Sequence, residues 1–133
     1  MEFLPKQPTV KGPAEWFTGD VWFDVIARSE TARVNAVRFA PCARTAWHSH
    51  ANGQTLHVTD GVGLIQSRGG EVQVIRPGDV IWTPPGEEHW HGAAPDRFMV
   101  HTAIWEGDVT AWGDLVTDDE YGYPRLCSAV TLR

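Results

Sequence analysis

Two histidines stand two residues apart in WHSHANGQTLHV (47–58), and a glutamine follows four residues after the second. A second pair, His89 and His91, has the same spacing in EEHWHGA (87–93). Side chains on a β-strand alternate between faces, so residues i and i+2 share one. On strands, each pair points two imidazoles in one direction, with Trp90 on the face opposite His89 and His91. Neutral imidazoles and an amide oxygen are donors for a divalent metal ion. All six histidines fall between residues 48 and 101, a confinement that scattered surface histidines would not show. His101 lies inside an apolar run, where a lone imidazole needs a hydrogen-bond partner or a chemical task. His57 is expected to be a satisfied core or rim histidine.

Strands must hold these groups. VWFDVIAR (21–28), ARVNAVRFA (32–40), TLHVTDGVGLIQS (55–67), EVQVIRPGDVIWT (71–83) and RFMVHTAIW (97–105) are rich in β-formers. Gly69-Gly70, Pro77-Gly78-Asp79 and Pro84-Pro85-Gly86 separate them. Connections this short leave no room for crossover helices, which predicts an all-β fold of antiparallel strands. Residues 1–19 read as an N-terminal arm that packs through Trp16 and Phe17, 20–110 as the β core and 111–133 as a tail. In that tail Thr117-Asp118-Asp119-Glu120 has capping-box spacing, with Gly122 and Pro124 ending a short helical turn. Inward residues of 32–40 and 97–105 would form a pocket of Asn35, Val37, Phe39, Ala103 and Trp105, with His91 and His101 as polar points. Trp16, Trp22, Trp82 and Trp112 are expected to pack the core.

The 133 residues suit one domain, with 42% hydrophobic and 21% charged residues. A formal charge of −6 argues against a nucleic-acid partner. No apolar stretch reaches membrane-spanning length, and the N-terminus lacks the pattern of a secretion signal. Cys42 and Cys127 match no zinc or redox spacing and are expected to be reduced thiols in a cytoplasmic protein.

The spacing His48-x-His50, three residues, Gln54, six residues, Gly61 resembles the first signature motif of the cupins. Gly78, five residues, Pro84-x-Gly86, two residues, His89 resembles the second. Together they cover roughly residues 35 to 105. The resemblance implies a small β-barrel or jelly roll with a metal held by His48, His50, Gln54 and His89, in a homodimer or other homo-oligomer. Three imidazoles and an amide carry no charge, so a divalent ion held by that implied set would keep its full +2, where a carboxylate in place of Gln54 would reduce it to +1. Such a neutral set favours Lewis-acid chemistry without redox change and weighs against dioxygen activation. Two non-ligand positions depart from the motifs: Cys42 stands where the first opens with Gly, and Ala93 where the second often closes with Asn.

Within the cupins, KGPAEWFTG (11–19), ARTAWHSH (43–50), GQTL (53–56), PGDV (77–80), GEEHWHGAAP (86–95) and VTDDEY (116–121) resemble small bacterial hydroxynitrile lyases. That likeness implies a manganese-dependent C–C lyase acting on cyanohydrins, with His91 and His101 at the reacting centre. His101 would be the general base, and His91 would stabilise the leaving cyanide. Iron, nickel, zinc or copper would suit the same donors. The group places a Gln where this chain has Trp105, which narrows the pocket and removes a hydrogen-bonding side chain. Two other readings share the ligands: a quercetinase-like dioxygenase, and a non-enzymatic small-molecule-binding or polyketide-cyclase-like cupin.

Overall fold

The computed structural model describes residues 1–107, 109–122 and 127. Thirteen strands run in chain order: β1 Val10–Lys11, β2 Phe17–Thr18, β3 Val21–Arg28, β4 Ala32–Phe39, β5 Arg44–Thr45, β6 His48–His50, β7 Gln54–Gly61, β8 Gly63–Ser67, β9 Gln73–Ile75, β10 Val80–Thr83, β11 His89–Ala93, β12 Met99–Glu106 and β13 Thr110–Trp112. One short helix, α1 Asp118–Tyr121, follows. The fold is all-β, as expected, and the expected runs 55–67 and 71–83 each divide at a turn. Gly61, at φ 75°, separates β7 from β8, and the Pro77–Asp79 turn separates β9 from β10.

One sheet has the order β1-β3-β4-β12-β7-β10. In the second, β11 pairs with β8 along one edge and with β5 and β6 along the other, and β13 and β2 extend it through β6 and β5. Every pairing is antiparallel. Strand alternation decides what lies between the sheets. On β7, Gln54, Leu56 and Val58 are buried while His57 and Thr59 are exposed. On β12, Met99, His101 and Ala103 are buried. Leu56, Val58, Met99 and Ala103 join Val21, Val37, Phe39, Ile65 and Ile75 in one core, where each fully buried large side chain contributes about 1.5–3 kcal/mol.

The sequence boundaries at 20 and 110 cut across pairing, because β2 joins β5 and β13 joins β6. Residues 113–122 then cross the back of the second sheet. Trp47 and the chain at 113–114 exchange backbone bonds, Gly113 N to Trp47 O at 2.7 Å and Trp47 N to Asp114 O at 2.9 Å. Buried Arg44 donates to Val116 O at 2.7 Å and to Asp118 Oδ1 at 2.8 Å, with its guanidinium 4.6 Å from the Tyr121 ring. Helix α1 has the expected capping box, Thr117 with Glu120, and Gly122 closes it at φ 97°. Pro124 lies outside the described residues. Trp90, on the face opposite the histidines, is fully buried here with Trp47, Leu64, Val116 and Tyr121.

The cysteines overturn one expectation: Cys42 and Cys127 form a disulfide, with Cα atoms 5.5 Å apart. Sequence spacing carried no sign of it because 85 residues separate them and only the folded tail brings them together. Disulfides persist in oxidising surroundings, so the cysteines lend no support to a cytoplasmic location. Among the described residues no helix is long and apolar enough to cross a membrane. Cys42 also sits at φ 69°, the left-handed region that glycine adopts freely, which explains why Gly is usual at this position of the motif. Closing so long a loop constrains the unfolded chain. Cys127→Ala should therefore cost about 2–4 kcal/mol, measured by denaturant unfolding beside the wild type with and without reductant. A loss seen equally in the reduced wild type ties it to the bond.

Candidate metal centre and pocket

His48 and His50 bracket β6, whose burial pattern places both inward and Ser49 between them outward. The chain then turns, with Gly53 N bonded to His50 O at 3.2 Å. Gly53 has φ 80°, and a Cβ there would lie 2.8 Å from Thr83 O and 2.4 Å from the Trp82 ring. This tight turn returns Gln54 to the same interior, which is why three residues separate the histidine pair from the amide. His89 opens β11 directly opposite His48.

The ring nitrogens of His48, His50 and His89 lie within 4.8 Å of one another. Their outer nitrogens are spoken for. His48 Nδ1 donates to Ala46 O at 2.9 Å, and His89 Nδ1 to Glu87 O at 3.0 Å. A carbonyl only accepts, so both rings carry their proton on Nδ1 and leave Nε2 as a bare lone pair. His50 Nδ1 faces the Thr110 hydroxyl at 3.4 Å, and its Nε2 is buried without a partner among the described residues.

His89 Nε2 and Gln54 Oε1 are 3.2 Å apart. Both are then acceptors and cannot bond each other. An inward cluster of lone pairs, one wholly unpartnered, is what a divalent cation relieves. The residues fit a metal ion, and the three-histidine group could bind one.

Burial keeps the rings neutral, the form that ligates. It holds His48 well below 6.5, with the neighbouring His89 adding to the effect, and it lowers His89. Burial and His89 bring His50 down to about 4. His91 is held well below 6.5 by burial and then by His101, and burial takes His101 to about 3. His101 Nε2 and His91 Nδ1 are 3.0 Å apart, while His91 Nε2 and His101 Nδ1 are buried and unpartnered among the described residues. The pair shares one hydrogen bond and offers two free nitrogens. His91 is fixed from its backbone, whose N–H donates to Thr45 Oγ1 at 3.2 Å.

These groups front a cavity of about 170 Å³. All five residues expected in the pocket line it: Asn35, Val37, Phe39, Ala103 and Trp105. His48, His50, Gln54, His91 and His101 line it as well, and no described acidic residue does. His57 is exposed on the outer face of β7 and takes no part.

The expectation for the tryptophans fails. Trp22 and Trp82 face outward, 36% and 58% exposed, because strand parity puts them on the outer face of their sheet. Trp16 and Trp112 line the cavity together with Pro13, Phe17, Phe23, Thr45 and Thr110. Trp112 lies 4.9 Å from the His48 ring and Trp105 5.6 Å from the His50 ring. Nothing local in the sequence marks Trp112 as a pocket residue; the pairing of β13 with β6 puts it there.

An antiparallel β fold with an inward set of three histidines and a glutamine, spaced by two cupin motifs, defines the class, and the chain belongs to the cupin family. The family model described as Cupin domain matches residues 35–109. The chain is 50% identical to an (R)-mandelonitrile lyase of Granulicella tundricola, across 86% of this chain and 92% of that protein. It is similar to a cupin-like protein of Thermotoga maritima at 38% identity and a TM-score of 0.82, covering 91% of this chain and 95% of that one. The polyketide cyclase RemF of Streptomyces resistomycificus has the same fold, with a TM-score of 0.72 at 16% identity over 94% and 93% of the two chains.

Depressed imidazole pKa values set a direction for stability. An imidazole with a folded-state value below 6.5 binds fewer protons than it does in the unfolded chain. Its contribution is complete above pH 6.5 and is lost as pH falls through the folded values, about 4 for His50 and about 3 for His101. The metal-free protein should keep its fold at pH 7 and lose thermal stability progressively from pH 6.5 to 4. Metal affinity should fall over the same range, because protons compete for the same nitrogens. Thermal melts and metal titrations at stepped pH check both, and a metal-free Tm that is flat across this window would contradict the assignment.

Proposed function

We propose that this chain is a metal-dependent carbon–carbon lyase that cleaves cyanohydrins to an aldehyde and hydrogen cyanide. The observation that carries this reading is the His91–His101 pair, with two unpartnered nitrogens beside a charge-neutral ligand set in an apolar cavity. Half-identity over most of both chains with a mandelonitrile lyase supports an enzyme of this kind.

His48, His50, Gln54 and His89 would hold the metal, and manganese is the ion the resemblance favours. When bound, a divalent ion there supplies Lewis acidity that lowers the pKa of a substrate hydroxyl. His101, neutral at pH 7, takes the hydroxyl proton at its free Nδ1. The C–CN bond breaks with its electron pair leaving on cyanide, and the carbinol carbon becomes the aldehyde carbon. His101 passes its Nε2 proton to His91 Nδ1 along the 3.0 Å contact, and His91 donates its Nε2 proton to the cyanide. One proton enters the pair and one leaves, so the products are neutral. Phe39 packs on both rings, with centroids 5.9 Å from His91 and 5.3 Å from His101, excluding water that would intercept the proton.

The deciding experiment joins elemental analysis with mandelonitrile cleavage before and after chelation. Near-stoichiometric manganese and cleavage that is lost and restored with the metal are expected. Bound iron, nickel or copper with oxygen uptake and no cleavage would replace this reading with oxygen chemistry. His101→Ala should lower kcat about 10²–10⁴-fold with metal content unchanged, and wild-type kcat in that variant would remove His101 from the mechanism.

The homodimer implied by the cupin resemblance has a candidate surface in Val80, Trp82 and Ile104. They are 65%, 58% and 41% exposed on strands β10 and β12, which flank β7. Trp82→Glu should shift the mass in solution toward the monomer, as light scattering would show.

A further inference from the structure

The N-terminal arm contributes an aromatic wall to the pocket. Trp16 stacks on Trp112 with centroids 5.1 Å apart and planes 5° from parallel, and Phe17 meets Trp112 edge-on at 5.8 Å. Both arm residues line the same cavity as the metal-site histidines.

The arm is tied down. Trp16 N and Phe17 N bond to Pro13 O at 3.0 and 3.1 Å, and Ala46 N donates to Trp16 O at 2.7 Å. Ala46 O in turn accepts from His48 Nδ1, so one residue joins the arm to the metal site. Gly12 lets the chain pass against the Phe17 ring, since a Cβ there would sit 2.7 Å from it.

We infer that Trp16 is a specificity-determining residue: with Trp112 it limits the substrate to a single ring. The volume argues this directly. A dry cavity of roughly 150 Å³ holds one benzene, and this one is about 170 Å³. A single ring already takes up most of that space, so a second fused ring would have to occupy the place of Trp16 and Trp112. Trp105 closes the His50 side and Trp112 the His48 side. Trp16 backs Trp112 and is itself 36% exposed, so truncating it opens the cavity outward without touching a metal-site histidine.

The inference rests on reading the cavity as the substrate site of the lyase, and its test separates the two. Metal-loaded wild type, Trp16→Ala and Trp16→Phe are compared for calorimetric binding of benzyl alcohol and 2-naphthylmethanol. The same proteins are compared for kcat/KM on mandelonitrile and on the cyanohydrin of 2-naphthaldehyde. The wild type should favour the one-ring compound at least about tenfold in both measurements. Trp16→Ala should reduce that preference by about tenfold or more through a gain on the two-ring compound. Trp16→Phe, which keeps a ring against Trp112, should retain most of the preference, and metal content should match across all three. Equal wild-type acceptance of one and two rings overturns the inference, as does an equal loss on both in Trp16→Ala. Ring selectivity in binding without any cyanohydrin cleavage would uphold it and overturn the lyase reading.

Discussion

Everything in this molecule depends on keeping several imidazoles buried, uncharged and oriented with lone pairs toward one point. A buried imidazolium is costly, so the apolar cavity selects the neutral form. Neutrality alone leaves the tautomer open. Backbone carbonyls of Ala46 and Glu87 fix it for His48 and His89, because a carbonyl can only accept. These carbonyls belong to the residues two positions before each histidine, so the strand that presents the ligand also sets its protonation. Thr110 is the exception: a hydroxyl can donate or accept, and the orientation of His50 therefore rests on β13.

The second sheet must then be held rigid, and the chain ends do this. Its strands β5 and β6, the second carrying His48 and His50, are two and three residues long, too short to be stable by their own pairing. The arm bonds to β5 through β2, β13 bonds to β6, and the segment 113–122 covers the back through Arg44, Trp47 and Tyr121. Arg44 shows what this demands. It is almost fully buried, and its cost is offset by Val116 O, Asp118, Cys42 O and the Tyr121 ring. The Cys42–Cys127 bond joins this cover to the turn six residues before His48, where the left-handed backbone at Cys42 would otherwise suit glycine.

What the sequence reveals follows from the range of the interactions. Strand parity is local, so His48 with His50, His89 with His91, and the inward set Asn35, Val37, Phe39, Ala103 and Trp105 could all be read from alternation. The capping box at Thr117 is local as well. The disulfide, the pocket roles of Trp16 and Trp112 and the burial of Trp90 were not legible. Each depends on a segment returning from far along the chain, and a Trp in an aromatic-rich arm carries no mark of which surface it meets. The four tryptophans illustrate the limit. Size and hydrophobicity argued for a core position, but parity sent Trp22 and Trp82 outward and pairing sent Trp16 and Trp112 to the cavity.

The neutral ligand set and the apolar cavity constrain the chemistry together more tightly than either does alone. No described carboxylate lines the pocket, so no described acidic side chain would sit beside a divalent ion held there. In so apolar a space that charge is screened far less than in water. An anionic substrate would have to shed its hydration to enter so apolar a cavity. On the lyase reading, a neutral hydroxyl compound would enter without that cost and gain stabilisation when it loses its proton beside His101. On that reading the site would favour a negative charge that develops within it over one that arrives, and the preference would appear along the reaction coordinate rather than in substrate binding. A cyanohydrin has that character: uncharged on entry, anionic once deprotonated, and able to divide into two small neutral products.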